Sequence, residues 1–181
     1  MIRTLVRAFG LLLLCGAGLV GAARADDAGD INRLFATGHA DEAFARLDKL
    51  LADKPHDPQW RFLKGTLLAQ AQRRAEAAAI FEQLSIDYPD MPEPYNNLAV
   101  IQAAQGEYDK ARLSLEAALR AQPGYAVAHQ NLGDIYVQLA RRSYAKALEL
   151  DPANTALTPK LALLRQLVQP VAGAASAAAS K

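Results

Sequence analysis

Two adjacent pairs of side-chain amides, Asn96-Asn97 and Gln130-Asn131, stand 34 positions apart. An amide donates and accepts at once, so such groups can pair with a peptide backbone whatever the peptide's sequence. The titratable residues offer less. His39, His56 and His129 are far apart and form no HExxH or other metal-binding spacing. Acidic residues such as Asp109 and Glu116 read as solvated helix faces rather than an acid–base pair. No G-x-S-x-G elbow, phosphate-cradling Walker loop or G-x-G-x-x-G turn occurs. Cys15 is the one cysteine, and it sits in an apolar run. This inventory predicts binding without catalysis, and no metal or cofactor.

The elements that position these amides follow from composition and periodicity. The 181 residues are 51% apolar and 7% aromatic, with Ala and Leu dominating. Both keep most of their side-chain freedom in a helix, so the chain is expected to be all-α. Residues 1–25 differ in composition. Arg3 and Arg7 precede the apolar stretch from Ala8 to Val20, and Ala23-Arg24-Ala25 follows as an A-x-A site. That pattern predicts a signal peptide cut after Ala25, and a periplasmic or secreted mature chain. The apolar stretch, about 13 residues, is shorter than the roughly 20 that a membrane-spanning helix needs. The alternative is a lipoprotein anchored through Cys15, but the preceding Leu14 is larger than such sites use. Taking Arg3, Arg7 and Arg24 from the 20 basic residues leaves 17 against 19 acidic ones, a charge near −2. No basic field is left to recruit nucleic acid.

Pro55, Pro89 and Pro123 are spaced by 34 residues, twice in succession. Numbered so that these prolines occupy position 32, the repeats are 24–57, 58–91 and 92–125, with a fourth opening at Ala126. Position 8 is then Ile31, Gly65, Ala99 and Gly133, and position 20 is Ala43, Ala77 and Ala111. Position 24 is Leu47, Phe81 and Leu115; position 15 is Gly38, Gln72, Gly106 and Ala140. Small residues at 8 and 20 predict two helices in close approach, with position 24 filling the gap to the next pair. Asp57-Pro58 reads as an N-cap followed by Pro in the first turn.

This pattern resembles the tetratricopeptide repeat (TPR) family, whose period is also 34. The third unit carries the likeness best, through Tyr95, Leu98, Ala99, Gly106, Tyr108, Ala111, Leu115, Ala118 and Pro123. The first unit is degenerate, with Asp30 and Ile31 where Leu and a small residue are usual. The resemblance implies a right-handed solenoid of helical hairpins in which each unit is stabilised by its neighbours.

The fourth unit breaks the period. Between Gly133 and Pro152 it lacks five residues, at the place where the third unit turns through "GEYDK". On a helical wheel Leu132, Gly133, Tyr136, Leu139, Ala140, Ser143, Tyr144, Ala147 and Leu150 share an arc of about 140°. A shortened repeat, 126–154, is therefore expected to run as one helix over 126–150, overhanging its neighbours and presenting Tyr144, Ala147 and Leu150; the alternative is a tight turn near Ala140 to Arg142. A capping helix at 155–169, opening at Thr158-Pro159, is expected to cover the overhang. The alternative cover is a second copy, making a homodimer. Residues 170–181, "PVAGAASAAASK", are small and expected to be a disordered tail.

The resemblance also implies where a partner would bind. In the family, positions 2, 5, 6, 9 and 12 of each first helix line a concave face that holds a peptide or a partner protein. Carried over, the second unit contributes Phe62 and Thr66 among others. The third supplies Glu93, Asn96, Asn97 and Val100, and the fourth Gln130, Asn131 and Asp134. Asn97 and Asn131 have a second reading, as caps on local backbone. Chaperone-binding members use cations at several of these positions to grip a terminal carboxylate. This chain has Phe62, Thr66, Val127 and Asn131 there, and the cations are absent. The expectation is a non-enzymatic adaptor of the cell envelope, with a self-assembling structural protein as the alternative.

Overall fold

A computed structural model describes residues 16–168, with side chains from Asp26 to Leu167. The expected tail and the first fifteen residues of the expected signal peptide lie outside the described residues. Among those described there are eight helices and no strand. They are α1 (Gly16–Ala36), α2 (Ala40–Asp53), α3 (Pro58–Gln70), α4 (Arg74–Asp87), α5 (Pro92–Ala104), α6 (Tyr108–Ala121), α7 (Ala126–Leu150) and α8 (Leu157–Val168). α1 is continuous across Ala25.

The turns explain the pairing. At position 15 the backbone enters the left-handed region, with φ of 87° at Gly38, 61° at Gln72 and 78° at Gly106. Each turn makes the same two bonds. The Gly38 N–H donates to Phe35 and the His39 N–H to Leu34; Gln72 and Arg73 donate to Ala69 and Leu68; Gly106 and Glu107 donate to Ala103 and Gln102. These are Schellman closures, which satisfy the last carbonyls of the first helix and reverse the chain. Gln72 adopts this conformation without glycine's freedom. Asp57 caps α3, its Oδ1 accepting from the N–H groups of Gln59 and Trp60 at 3.0 and 3.2 Å.

The described residues form two compact units, divided between Leu67 and Leu68. The first has a core of Ile31, Ala43, Leu47, Trp60 and Leu67, packed by Phe35 and Phe44 among others. Those two rings meet edge to face, with centroids 6.0 Å apart. Ile31, the misfit at position 8, is fully buried in that core. Arg46 of α2 reaches Asp27 and Asp30 of α1 at 2.7 and 3.0 Å. Hydrogen bonding from Arg33, with Arg46 behind it, holds the Asp30 carboxyl below the ordinary carboxylate range.

The second unit stacks α4 to α8 in sequence, and α5 also meets α7 directly. Its core joins Ala99, Ala111, Leu115, Ala118, Ala128 and Ile135. Ala99 and Ala111, the small residues of the third hairpin, are both buried there. Polar links run across the same layers. Tyr95 Oη donates to the Ser85 carbonyl at 2.9 Å, Ser114 Oγ bonds Gln102 Oε1 at 2.8 Å, and Arg142 pairs with Asp109 at 2.7 Å.

The fourth unit is one helix of 25 residues, α7, over the expected span, and α8 packs against it. Its buried surface differs from the single stripe expected. Ala128, Leu132, Ile135 and Leu139 face the α5–α6 core, within an arc of about 60° on the wheel. Farther along, Tyr144, Ala147 and Leu148 are the half-buried apolar residues, on a stripe rotated by more than about 100°. Gly133, Tyr136, Ser143 and Leu150 are exposed. The two halves of α7 thus bury different faces, because they meet different neighbours, α6 and then α8. Leu150, expected under the cap, is 74% exposed. α8 begins at Leu157, so Pro159 lies in its first turn and Thr158 is inside the helix rather than its cap. Leu157 and Leu161 are buried, and Lys160 Nζ lies 5.4 Å from the centre of the Tyr144 ring.

Gly133 corrects one more expectation. A Cβ there would meet nothing within 4 Å. Position 8 needs a small residue only where a second helix folds back on the first, and α7 has no such helix beside Gly133.

Candidate functional site

α5 and α7 bring most of the candidate residues onto one face of the second unit. The two helices lie one repeat apart, so residues separated by 34 occupy equivalent levels. Between them opens a hollow of about 160 Å³, lined by Ala99, Val100, Ala103, Leu115, Asn131, Asp134 and Ile135. The floor is aliphatic and the rim is polar. Val100 is 51% exposed, and Gln130 and Asp134 are exposed as well.

The amides have different fates. Asn96 is the one buried polar side chain among the described residues, 6% exposed. Its Oδ1 accepts a 2.8 Å bond from Asn131 Nδ2, which links α5 to α7 beside the hollow. Burial of a polar group is tolerated when it is bonded in this way. Asn97 Nδ2 donates to the Glu93 carbonyl at 2.9 Å, one turn back on its own helix. Of the four amides, then, Asn96 and Asn131 brace the groove, Asn97 is tied to local backbone, and Gln130 stands open.

Glu93 lies one turn before Asn97 on the same stripe of α5. Tyr125, in the turn before α7, has its phenol held above the ordinary range, first by burial and then by the Glu93 charge. Phe62 and Thr66 belong to the first unit. Both are half-buried, and Thr66 Oγ1 donates to the Phe62 carbonyl at 3.0 Å.

A second hollow, over α4, α5 and α6, has no counterpart in the sequence pattern. About 400 Å³ and wide open, it is lined by Glu82, Ser85 and Ile86 of α4, Tyr95 and Leu98 of α5, and Leu113, Ser114 and Ala117 of α6. Ile86 is 72% and Leu113 54% exposed. A large apolar residue on the outer face of a second helix was the available signal, but surface leucines are too common to mark a site. Among the described residues no group of three or more His, Cys, Asp or Glu could hold a metal ion. No described helix is long and apolar enough to cross a membrane.

Comparison with known proteins agrees with this architecture. The chain is 33% identical over 88 residues to a chloroplastic TPR domain-containing protein, PYG7, of Arabidopsis thaliana, covering 46% of this chain and 29% of that one. It is 27% identical over 154 residues to tetratricopeptide repeat protein 16 of Homo sapiens, covering 76% and 18% respectively. The chain therefore spans under a third of the length of these relatives. Among solved structures, the first TPR of Spaghetti (RPAP3), bound to an HSP90 peptide SRMEEVD, superposes with a TM-score of 0.56. It shares 19% identity, over 64% of this chain and 92% of that one. MamA superposes with a TM-score of 0.55 at 18% identity, over 75% and 82%. At these identities the likeness establishes the fold. The tetratricopeptide repeat profile matches residues 31–92, 62–126 and 96–155, and on that ground the chain belongs to the TPR family.

Proposed function

We propose that this protein is a non-enzymatic adaptor of the cell envelope that holds a peptide segment or partner protein on the α5–α7 face. The observation that carries this reading is the hollow between those helices. Its floor is aliphatic, its rim is polar, and the Asn96–Asn131 bond ties α5 to α7 beside it. Such concave, largely apolar sites with a few directed polar groups are where ligands bind. The charges at this face differ from those suited to the acidic peptide carried by the RPAP3 domain. Here the rim offers Asp134, with Glu93 farther along α5, rather than cations.

A photoreactive residue at Val100 tests the reading. Asn97 is half-buried and bonded to its own helix, whereas Val100 points into the open hollow. Crosslinks in cells should form from Val100 and be lost when Asp134 is also replaced by Lys. Equal yield from Lys110, on α6, would sink the proposal. Export is supported by the basic, apolar and A-x-A succession of residues 1–25. N-terminal sequencing of the protein from cells should begin at Asp26; a retained leader would refute it.

Self-assembly is a second reading, favoured by the end of the second unit. Tyr136 is 50%, Leu150 74%, Leu163 61% and Leu167 67% exposed, and the surface beside Gly133 is open. Light scattering after size exclusion distinguishes it. A dimer that dissociates on Tyr136→Asp with Leu150→Asp supports it, and a monomer at all concentrations removes it.

A further inference from the structure

The charged groups on the α5–α7 face are of one sign where the hollow opens. Asp134 lines it, and Glu93 lies on the α5 stripe that runs through Asn97 to Val100. Neither carboxylate has a cationic partner among the described residues. Several other carboxylates of this unit are paired, as Asp109 is with Arg142 and Glu107 with Lys110. The next cation on the Asp134 stripe is Arg141, two turns on and about 10 Å along the helix, past the level at which α5 ends. The Tyr125 phenol, held above its ordinary range first by burial and then by the Glu93 charge, faces the same side.

The polar groups left over restrict the shape of an occupant. Asn131 spends its Nδ2 on Asn96, leaving its Oδ1, and Gln130 is exposed. These can pair with free backbone N–H and C=O groups. A helical ligand has already satisfied its own, whereas an extended one has not.

We propose that this face selects a cationic, extended protein segment. An aliphatic side chain enters the hollow over Ala99, Ala103 and Leu115, and a Lys or Arg within two positions of it lies against Asp134. A further cation along the segment meets Glu93. This rests on the reading of the α5–α7 face as the binding groove. Asp134 is exposed and Glu93 half-buried, so salt screens the attraction, most strongly at Asp134, and it should weaken as ionic strength rises.

The test selects a phage-displayed library of random 12-residue peptides on the full chain, immobilised at low salt. Enriched peptides should carry Lys or Arg within two positions of an aliphatic residue. Glu93→Lys with Asp134→Lys should weaken them at least tenfold and shift a fresh selection toward acidic peptides. Val100→Trp, which fills the hollow, should abolish binding of the basic set, with the helical circular-dichroism spectrum of each variant matching the parent. Peptides lost with Val100→Trp but free of charge bias would overturn the cationic preference while leaving the groove in place. Peptides indifferent to Val100→Trp would overturn the groove reading and this inference together, as would a library with no enrichment over bare matrix.

Discussion

The third and fourth repeats begin alike and end differently. Both open with a first helix on the same face, Asn97 and Asn131 at equivalent levels. The third then turns at Gly106 and returns as α6, whereas the fourth runs through Ala140 and continues to Leu150. The same position is a left-handed glycine in one and an ordinary helical alanine in the other. A helix of good formers propagates unless something stops it, so the hairpin is the state that needs instruction. The consequence is functional. A repeat that does not fold back leaves its position-8 surface open and sends its second half to a separate capping helix.

Restoring the turn should produce the largest change. Inserting Gly-Glu-Tyr-Asp-Lys, the segment at 106–110, after Leu139 returns Pro152 to the 34-residue spacing and moves Ala140 to position 20. Spin labels at Val127 and Glu149, with Cys15 replaced by Ser, should be about 33 Å apart in the continuous helix. After the insertion they should approach to about 10–15 Å, since paired helices pack about 8–10 Å apart. An unchanged distance would show that helix propensity, rather than the missing turn, decides the outcome.

Core truncation should separate the two regions next. Leu115 is buried in the third hairpin, and Leu115→Ala should cost about 2–5 kcal/mol. Leu150 is 74% exposed at the end of α7, and Leu150→Ala should change stability by less than about 0.5 kcal/mol. Denaturant melts of both variants check the pair. A large loss at Leu150 would mean that another surface covers it in solution, which favours self-assembly.

The fold was legible because it repeats. Three prolines at one spacing, with small residues twice per unit, specify helical pairs whose packing is the same each time. The continuity of α7 followed from a deletion, visible only against the preceding units. Its side-chain phase did not follow. A wheel drawn on one helix assumes one neighbour, and α7 has two, so Ile135 and Leu148 turn inward while Tyr136 and Leu150 stay out. The candidate site was legible as a face but not as a set of contacts. Position numbering brings Asn96 and Asn131 to one side of the unit. It carries no information on whether their amides point to a ligand or to each other, which depends on the separation of α5 and α7. The hollow between α4 and α6 escaped altogether, because its lining comes from three helices and shares no spacing.

The turns themselves allow a finer test. Gly106→Ala places a Cβ at φ 78° and should cost about 1–2 kcal/mol. Gln72 already bears that strain at φ 61°, so Gln72→Gly should be stabilising, or neutral where the greater entropy of the unfolded glycine offsets the relief. A destabilising Gln72→Gly, read by thermal melting, would show that the Gln72 side chain contributes more than its backbone strain costs.

Gly133→Ala gives the smallest effect and bears most directly on the difference between the repeats. In a hairpin, position 8 faces a second helix, and adding a methyl group there forces the two helices apart. Beside Gly133 the space is empty to 4 Å, so the substitution meets no atom. What remains is the backbone term: alanine in a helix interior is favoured over glycine by about 0.8–1.0 kcal/mol. The expected result is a gain in stability of up to about 1 kcal/mol in a denaturant melt at low protein concentration. Loss of stability at low concentration would mean that a helix does lie against Gly133 within the chain, and would return the fourth repeat to a hairpin. A gain that vanishes as concentration rises would place a second copy on that open surface. The sign of one methyl group thus reports whether the fourth repeat is unpaired.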